Sequence, residues 1–252
     1  MTASEGLADH LLGMDPETVS ARLGSLSGEE ARTLVRGLRA EALDRCKRDG
    51  LWWLNFVRTR DEADPDRTTK PFPIHLNYVR RIWETFTANN RVAVAKSRQS
   101  FLSWIACTFM CHMARFRPNC LVILQTQKWE DACAMVAMAG NRAEGGYAGR
   151  CQFIESHLPS WLRQGCTATE GAIDYPNGSR VMALAAGANQ IRGKTASLIV
   201  LDEYAFLSEA KQTYAAISPL VQKGCKVVVI STPNGAEGNS FFHLWAGVPM
   251  VS

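Results

Sequence analysis

The stretch that decides the fold is Ala196–Glu203, with the sequence ASLIVLDE. Its apolar run Leu198–Leu201 leads directly into two carboxylates, Asp202 and Glu203. A short run of this kind is typical of a strand that is buried on both faces of a parallel sheet. Ligands bind such sheets at the carboxyl ends of the strands, where one acid can hold Mg²⁺ and the other can polarise a water. A structural strand followed by a helix with an Asp cap explains the same residues equally well.

The composition is that of a soluble globular protein. Of the 252 residues 46% are hydrophobic and 21% are charged, so disorder is not expected. The length suits one large α/β domain or two smaller ones. No apolar run reaches the roughly 18 residues of a membrane span, and the first residues lack a secretory pattern. Eight cysteines without metal-ligand spacing indicate a reducing cytoplasm, and a net charge of +4 permits a polyanionic partner without requiring one.

The first 70 residues predict a helical arm and a linker. Asp15-Pro16 begins a short helix, and a capping box at Ser27–Glu30 begins a longer one. The apolar face of this second helix is predicted at Leu34, Leu38 and Leu43. An aromatic segment at 51–57 is expected to pack the arm onto the main domain, and the polar segment 58–70 is predicted as a linker. We therefore divide the chain into an arm at 1–70 and a main domain at 71–252.

Short apolar runs alternate with helical patterns along the main domain. Buried strands are predicted at 92–95, 120–125, 198–201 and 226–230, with helices between them. Residues 173–184 predict a hairpin, because Asn177-Gly178 separates two apolar runs. This alternation predicts an α/β fold with a mainly parallel central sheet and helices on both faces.

A second motif follows the strand at 92–95, where Lys96–Ser103 has the sequence KSRQSFLS. A phosphate loop usually ends in Gly-Lys-Ser/Thr, whereas these places hold Phe101, Leu102 and Ser103, and the lysine stands at the front. A phosphate cradle requires backbone N–H groups at a helix N-terminus, a mobile cation and a hydroxyl for magnesium. The segment offers two cations and a hydroxyl for this purpose, at Lys96, Arg98 and Ser103. A plain surface loop with two basic residues is the alternative.

Three strand-end motifs, taken in order, resemble one family. They are Lys96–Gln99, Leu201–Glu203 and Ser231–Gly235, and together they resemble the large terminase subunits of tailed bacteriophages, the motors that package double-stranded DNA into procapsids. The resemblance extends from about residue 71 to 245 and includes Ile191–Lys194 and Phe241–Trp245. Lys96 is similar to the front lysine of the deviant phosphate loops in this family, and Phe101 departs from the usual glycine.

The resemblance implies a P-loop NTPase fold of the ASCE type, with an added strand between the two Walker strands, and ATP and Mg²⁺ as cofactors. It assigns Mg²⁺ to Asp202 and Ser103, and the orientation of the attacking water to Glu203. Ser231 and Thr232 correspond to the coupling motif that senses the γ-phosphate. The residues implied for binding ATP and its phosphates are Lys96, Ser97, Arg98, Gln99, Ser100, Ser103 and His75.

Four basic residues keep more than one interpretation. Arg192 resembles the arginine that ring motors insert into a neighbour's site, but a contact to phosphate or DNA, or a structural salt bridge, is equally compatible. His75 stands where the family often has an adenine-reading glutamine, and a surface histidine at the start of a helix explains it as well. Arg142 and Arg150 flank a Gly-rich loop and are expected on a solvated face, with DNA phosphates as the alternative.

The implied function is an ATP-hydrolysing motor domain that translocates viral DNA. The family implies double-stranded DNA, a portal protein, a small terminase subunit and a homo-oligomeric ring as partners, in the host cytoplasm at the procapsid and without a membrane. We expect the family's nuclease domain to lie outside this chain, which carries no spaced acidic cluster of that kind, so nuclease activity is not expected of it. The alternatives are another type of DNA helicase or translocase ATPase, or a degenerate P-loop module that binds DNA without hydrolysis.

Overall fold

The structure is a computed structural model, and it describes residues 14, 16–23, 27–61, 64, 68–97, 101–140, 148–235 and 239–247. The helices are α1 (Pro16–Leu23), α2 (Gly28–Arg48), α3 (Gly50–Trp53), α4 (Asn77–Ala88), α5 (Leu102–Phe116), α6 (Trp129–Met135), α7 (Arg150–His157), α8 (Ala188–Ile191), α9 (Ala210–Gln222) and α10 (Ser240–Ala246). The strands are β1 (Arg58–Arg60), β2 (Thr69–Pro71), β3 (Arg91–Ala95), β4 (Leu121–Gln125), β5 (Thr167–Thr169), β6 (Ala172–Asp174), β7 (Arg180–Leu184), β8 (Leu198–Leu201) and β9 (Lys226–Ser231). Short 3₁₀ helices span Leu54–Phe56 and Tyr204–Phe206.

Seven strands form the central sheet, in the order β3-β9-β8-β4-β7-β6-β5. The pairings from β3 through β7 are parallel, and β7-β6-β5 are antiparallel. The predicted mainly parallel α/β fold and the hairpin at β6 and β7 are therefore confirmed. The order also places β9 between β3 and β8, as the resemblance implies.

Both faces of the sheet are covered. In β4, Val122 and Leu124 belong to one apolar cluster, whereas Ile123 between them belongs to another. Successive side chains of a strand point to opposite faces, so this alternation shows a core on each side. Helices α4 and α5 supply the first cluster, and α9 and α10 supply residues of the second. Every residue of β8 and β9 is buried between these layers, including Lys226 and Ser231 at the two ends of β9.

The strand β3 differs from the buried strand that the sequence predicts. Val92 is buried, but Arg91 and Ala95 are exposed. The reason is topological, because β3 is the edge strand and pairs only with β9 among the described residues. Its carboxyl end nevertheless lies beside β9, where the phosphate loop begins.

The arm joins the main core through its aromatic segment. The predicted capping box between Ser27 and Glu30 is present, and α2 buries Ala31, Val35, Ala42 and Cys46. The predicted apolar face was wrong at two positions, since Leu34 and Leu43 are exposed and the neighbouring Val35 and Ala42 are buried instead. Trp53 is fully buried in the cluster that also contains α5.

The segment predicted as a linker contains a two-stranded antiparallel ladder instead, formed by β1 and β2. Thr59 and Arg60 are buried there, and Arg60 donates a hydrogen bond to the carbonyl of Ala148 at 2.7 Å. The division of the chain at residue 70 stays a prediction. No described helix is both long and apolar enough to span a membrane.

Candidate nucleotide site

The carboxyl ends of β3, β8 and β9 bring three sequence motifs together at one edge of the sheet. Lys96 follows β3, Asp202 follows β8 and Thr232 follows β9. The ladder continues past β3, because the Lys96 amide donates to the carbonyl of Ser231 at 2.9 Å. Parallel pairing thus carries the lysine to the acid pair across the intervening strand.

The Lys96 ammonium lies between the two acids. Its Nζ is 2.7 Å from Asp202 Oδ1 and 3.0 Å from Glu203 Oε1. The side chains of Lys96 and Asp202 are 9% and 6% exposed, whereas Glu203 is 38% exposed. A buried charge is stable only when it is paired, so this contact fixes the lysine in the site. With one cation and two carboxylates the cluster keeps a negative excess that opens toward solvent at Glu203.

Helix α5 contributes a hydroxyl from its first turn. Ser103 Oγ donates to Asp202 Oδ2 at 3.1 Å. The preceding departures from the usual loop have a packing explanation. Phe101 has φ −67° and ψ 7°, a backbone that does not require glycine, and its ring contacts those of Phe72 and Trp104. Leu102 is 2% exposed in the core, so the ammonium at this site comes from Lys96 and not from the usual position.

Glu203 is held in a left-handed backbone conformation, with φ 51° and ψ 39°. A non-glycine residue there carries strain of roughly 1–3 kcal/mol. Thr232 stabilises this conformation, since its Oγ1 and its amide donate to Glu203 Oε2 at 3.1 and 3.4 Å. Ser231 Oγ accepts from the amide of Ala205 at 3.0 Å and so ties the following 3₁₀ helix to β9. Both residues of the predicted coupling motif therefore contact the segment that carries Glu203.

Three other predicted site residues form no hydrogen bond or ion pair with this cluster within the described part of the chain. Arg192 is exposed at the end of α8, where it donates to Asn189 Oδ1 at 3.0 Å. His75 is exposed in the turn before α4, and the nearby Phe72 places that turn beside Phe101. Ser97 is exposed directly after Lys96.

Four basic or polar predictions, Arg98, Gln99, Ser100 and Arg142, lie outside the described residues. Arg150 lies over the ring of Trp104, with its guanidinium carbon 5.8 Å from the ring centroid. This places Arg150 at a packed aromatic side chain, and its predicted alternatives of a solvated face or a DNA contact stay open.

The sequence analysis missed Gln125, the last residue of β4. Its backbone carbonyl accepts from the amide of Asp202 at 3.0 Å, and its side-chain amide donates to Ala185 and Gly187. A polar residue that ends a buried apolar strand next to β8 is the signal that marks it, because carboxyl ends of neighbouring parallel strands meet.

The donor set suits phosphate and a hard cation. Asp202 and Ser103 present a carboxylate and a hydroxyl oxygen within hydrogen-bond distance of each other, and oxygen ligands of this kind are those that Mg²⁺ prefers. Among the described residues no three His, Cys, Asp or Glu side chains cluster as a metal cage.

Comparison with known proteins places these motifs in a family. A family model described as terminase large subunit, T4likevirus-type, N-terminal, matches residues 94–247, which is more than half of the chain. The large terminase of bacteriophage HK97 is similar in fold, with a TM-score of 0.52 at 10% identity, over 79% of this chain and 40% of that one. The large terminase ATPase domain of Thermus phage P74-26 matches with a TM-score of 0.42 at 16% identity, over 61% of this chain and 64% of that one. An arginine-to-alanine variant of that domain gives 0.43 and 16% over 61% and 63%. The matches thus span less than two thirds of those chains.

Proposed function

This chain belongs to the family of T4-like-virus-type terminase large subunits, N-terminal part, and from that premise we propose that it is an ATPase that drives double-stranded DNA into a viral procapsid. The observation that carries the proposal is the contact of Lys96 with both Asp202 and Glu203. Three motifs that are far apart in the sequence meet at this contact and at the hydrogen bonds from Thr232 to Glu203, and the described residues of the cluster supply one cation, two hydroxyls and two acids. This set matches the requirements of phosphoryl transfer to water.

Each residue of the cluster has a separate proposed role. Lys96 exchanges its carboxylate partners for the phosphate oxygens of ATP and spreads the charge that develops in the transition state. Ser103 and Asp202 would hold Mg²⁺, which neutralises phosphate charge when it is bound. Glu203 orients a water for in-line attack on the γ-phosphorus. The new P–O bond forms as the bond to the β–γ bridging oxygen breaks, which leaves ADP and phosphate.

Thr232 and Ser231 are proposed to couple this reaction to the fold. Once Lys96 has turned to the phosphates, the two hydrogen bonds from Thr232 remain to hold the Glu203 carboxylate. Departure of the γ-phosphate changes the charge beside Glu203 and so acts on the end of β9 through Thr232. Ser231 extends the connection to the 3₁₀ helix at Tyr204–Phe206.

Arg192 is proposed to act on the site of a neighbouring copy. Its exposed position, and its hydrogen bond to Asn189 in place of a contact with its own acid pair, support this role. A donated arginine of this kind contributes roughly 10³- to 10⁵-fold to turnover. We further propose that Ser97, Arg98, Gln99 and Ser100 bind phosphates and that His75 lies beside the adenine.

The partners and setting follow from the same proposal. The motor would act on double-stranded DNA as a homo-oligomeric ring, with a portal protein and a small terminase subunit, in the host cytoplasm. The domain at 71–252 would be the ATPase, with the arm at 1–70 packed on it.

Replacement of Glu203 by glutamine tests the assignment. Glu203→Gln keeps the shape but weakens the orientation of water, so we expect Mg²⁺-dependent ATP hydrolysis to fall by roughly 10²- to 10⁴-fold. Binding of a fluorescent ATP analogue should stay within twofold of the wild type. Glu84→Gln, an exposed change on α4, is the matched control and should hydrolyse ATP normally.

Two outcomes contradict the proposal. Undiminished hydrolysis by Glu203→Gln would remove the catalytic role of this residue. A wild-type protein that binds DNA but shows no Mg²⁺-dependent hydrolysis, even at high concentration, would favour a module that binds without turnover.

A further inference from the structure

Gln125 connects the acid pair to a second segment of the same sheet edge. It is fully buried, and in the ladder it pairs with Leu184 of β7 on one side and with Leu201 of β8 on the other. Its backbone carbonyl accepts a hydrogen bond from the Asp202 amide at 3.0 Å. A shift of the Asp202 backbone at the end of β8 would therefore change this hydrogen bond to Gln125.

The side chain of Gln125 faces the connection between β7 and α8. Its Nε2 donates to the carbonyl of Ala185 at 2.6 Å and to that of Gly187 at 3.1 Å. Only the NH₂ group can donate to two carbonyls, so the orientation of the amide is fixed by its partners. Gly187 has φ 129°, a conformation that side chains rarely adopt, and the short helix α8 then leads to Arg192. One side chain thus holds the start of the segment that ends at Arg192.

The amide oxygen of Gln125 differs from the amide nitrogen in its contacts. Its Oε1 is buried and has no hydrogen-bond partner among the described residues. A buried acceptor without a donor costs free energy, and the contacts of Nε2 with Ala185 and Gly187 do not use it. The unpaired Oε1 is therefore available to a donor in another state of the site.

We propose that Gln125 is a positioning residue that couples the nucleotide state at Asp202 to the placement of Arg192. The inference rests on the proposed ATPase function. Binding of ATP and Mg²⁺ replaces the Lys96 contact of Asp202 and alters the end of β8, to which the Gln125 carbonyl is bonded. The Gln125 amide passes this change to Ala185 and Gly187, and α8 carries it to Arg192.

Hydrogen exchange with and without nucleotide tests this coupling. In the wild-type chain a non-hydrolysable ATP analogue with Mg²⁺ should slow amide exchange across residues 185–194 by roughly two- to tenfold, the range that one or two hydrogen bonds give. In Gln125→Met the same analogue should bind within twofold but leave exchange at 185–194 unchanged. Gln190→Met, an exposed change on α8, is the matched control and should keep the wild-type response. A merely structural role would raise exchange in both states without removing their difference.

The outcomes separate the inference from the function on which it rests. A wild type that does not bind the analogue removes the proposed function, and this coupling with it. Binding without any change at 185–194, or an unaltered change in Gln125→Met, overturns the coupling alone. If Gln125→Met does not fold, Gln125→Leu is similar in volume, also lacks a donor, and is expected to lose the nucleotide response in the same way.

Discussion

Two ionic networks in this molecule both pair a cation with a carboxylate, and they differ in charge balance and in exposure to solvent. The Arg115 network comprises Arg115, Glu155 and Tyr175, on the side of the sheet that α5 and α7 cover. The Lys96 network comprises Lys96, Ser103, Asp202, Glu203 and Thr232, at the carboxyl ends of the strands. Each contains a cation and carboxylate in direct contact, so contact alone does not distinguish a structural site from a functional one.

The Arg115 network is buried and balanced in charge, although Arg115 Nε has no hydrogen-bond partner among the described residues. The Arg115 side chain is fully buried and forms an ion pair with Glu155 Oε2, while its Nη1 donates to the carbonyl of Leu162 at 2.6 Å. Tyr175 donates to the other oxygen of Glu155 at 2.8 Å. Burial raises the pKa of Tyr175, so it stays protonated as a donor at neutral pH. One cation matches one acid here.

The Lys96 network has more acid than base among the described residues. One ammonium contacts two carboxylates there, and one of these, Glu203, is 38% exposed. A second source of oxygen ligands can therefore reach the lysine from the exposed side of Glu203, and the buried Asp202 carboxylate would then take Mg²⁺ as its new partner. The comparison indicates that a carboxylate in excess of the cations, together with access to solvent, distinguishes the functional site. Burial and ion pairing are common to both networks.

Removal of the cation from the Arg115 network should have the largest effect on stability. Arg115→Met leaves the Glu155 carboxylate buried without its partner, so the free energy of unfolding should fall by about 3–5 kcal/mol in chemical denaturation. The exposed change Arg117→Met is the matched control and should stay within about 0.5 kcal/mol of the wild type. A loss below about 1 kcal/mol for Arg115→Met would show that this network is not paired in the way described.

Removal of the cation from the Lys96 network should mainly lower the rate of ATP hydrolysis. Lys96→Met deletes the group proposed to stabilise the transferring phosphate, and steady-state hydrolysis should fall by roughly 10²- to 10³-fold. Its free energy of unfolding should fall less than that of Arg115→Met, because water can solvate Glu203 and the Ser103 hydroxyl still donates to the buried Asp202. Lys223→Met, an exposed change after α9, should be silent in both measurements. Normal turnover in Lys96→Met would mean that the networks do not differ in function.

The partly buried His112 extends the comparison to the pH dependence of stability. Burial lowers the pKa of His112 from 6.5 to about 4, and its Nε2 donates to the carbonyl of Cys46 at 2.9 Å. Below pH 6.5 the unfolded chain therefore binds a proton that the folded chain does not bind. The contribution to stability is complete above pH 6.5 and is lost as the pH falls through 4, with a total of at most roughly 3 kcal/mol.

The measurement is the difference in free energy of unfolding between the wild type and His112→Phe, followed from pH 7 to pH 4. The stability of the wild type should fall more steeply over this range, because the phenylalanine variant binds no proton at this position. Parallel pH profiles of the two proteins would show that His112 is not held neutral in the folded state.

The sequence predicts the residues of the candidate site better than it predicts the packing contacts around them. Lys96, Asp202 and Thr232 each follow an apolar run, and parallel strands bring such positions to one edge, so their meeting follows from the pattern of strands. Phe101 had no sequence explanation, since only the ring contacts with Phe72 and Trp104 show why a phenylalanine replaces the usual glycine.

The pairing of Arg115 with Glu155 and Tyr175 could not be predicted. The three residues belong to different elements, and no spacing rule links a helix α5 position to partners on α7 and after β6. The ladder of β1 and β2 was missed for a related reason, because three-residue strands are too short to show a period. Long-range packing decides such contacts, and periodicity within one element does not report it.

A crystal structure with a non-hydrolysable ATP analogue and Mg²⁺ tests the central claim most directly, because it shows where the Lys96 ammonium goes. In the structure described above, Nζ lies 2.7 Å from Asp202 Oδ1 and 3.0 Å from Glu203 Oε1. The account predicts that both distances lengthen beyond about 4 Å, the limit of an ion pair, and that Nζ lies within about 3 Å of a phosphate oxygen. A lysine that stays on its acids while the analogue occupies another place would contradict the exchange of partners on which the proposed mechanism depends.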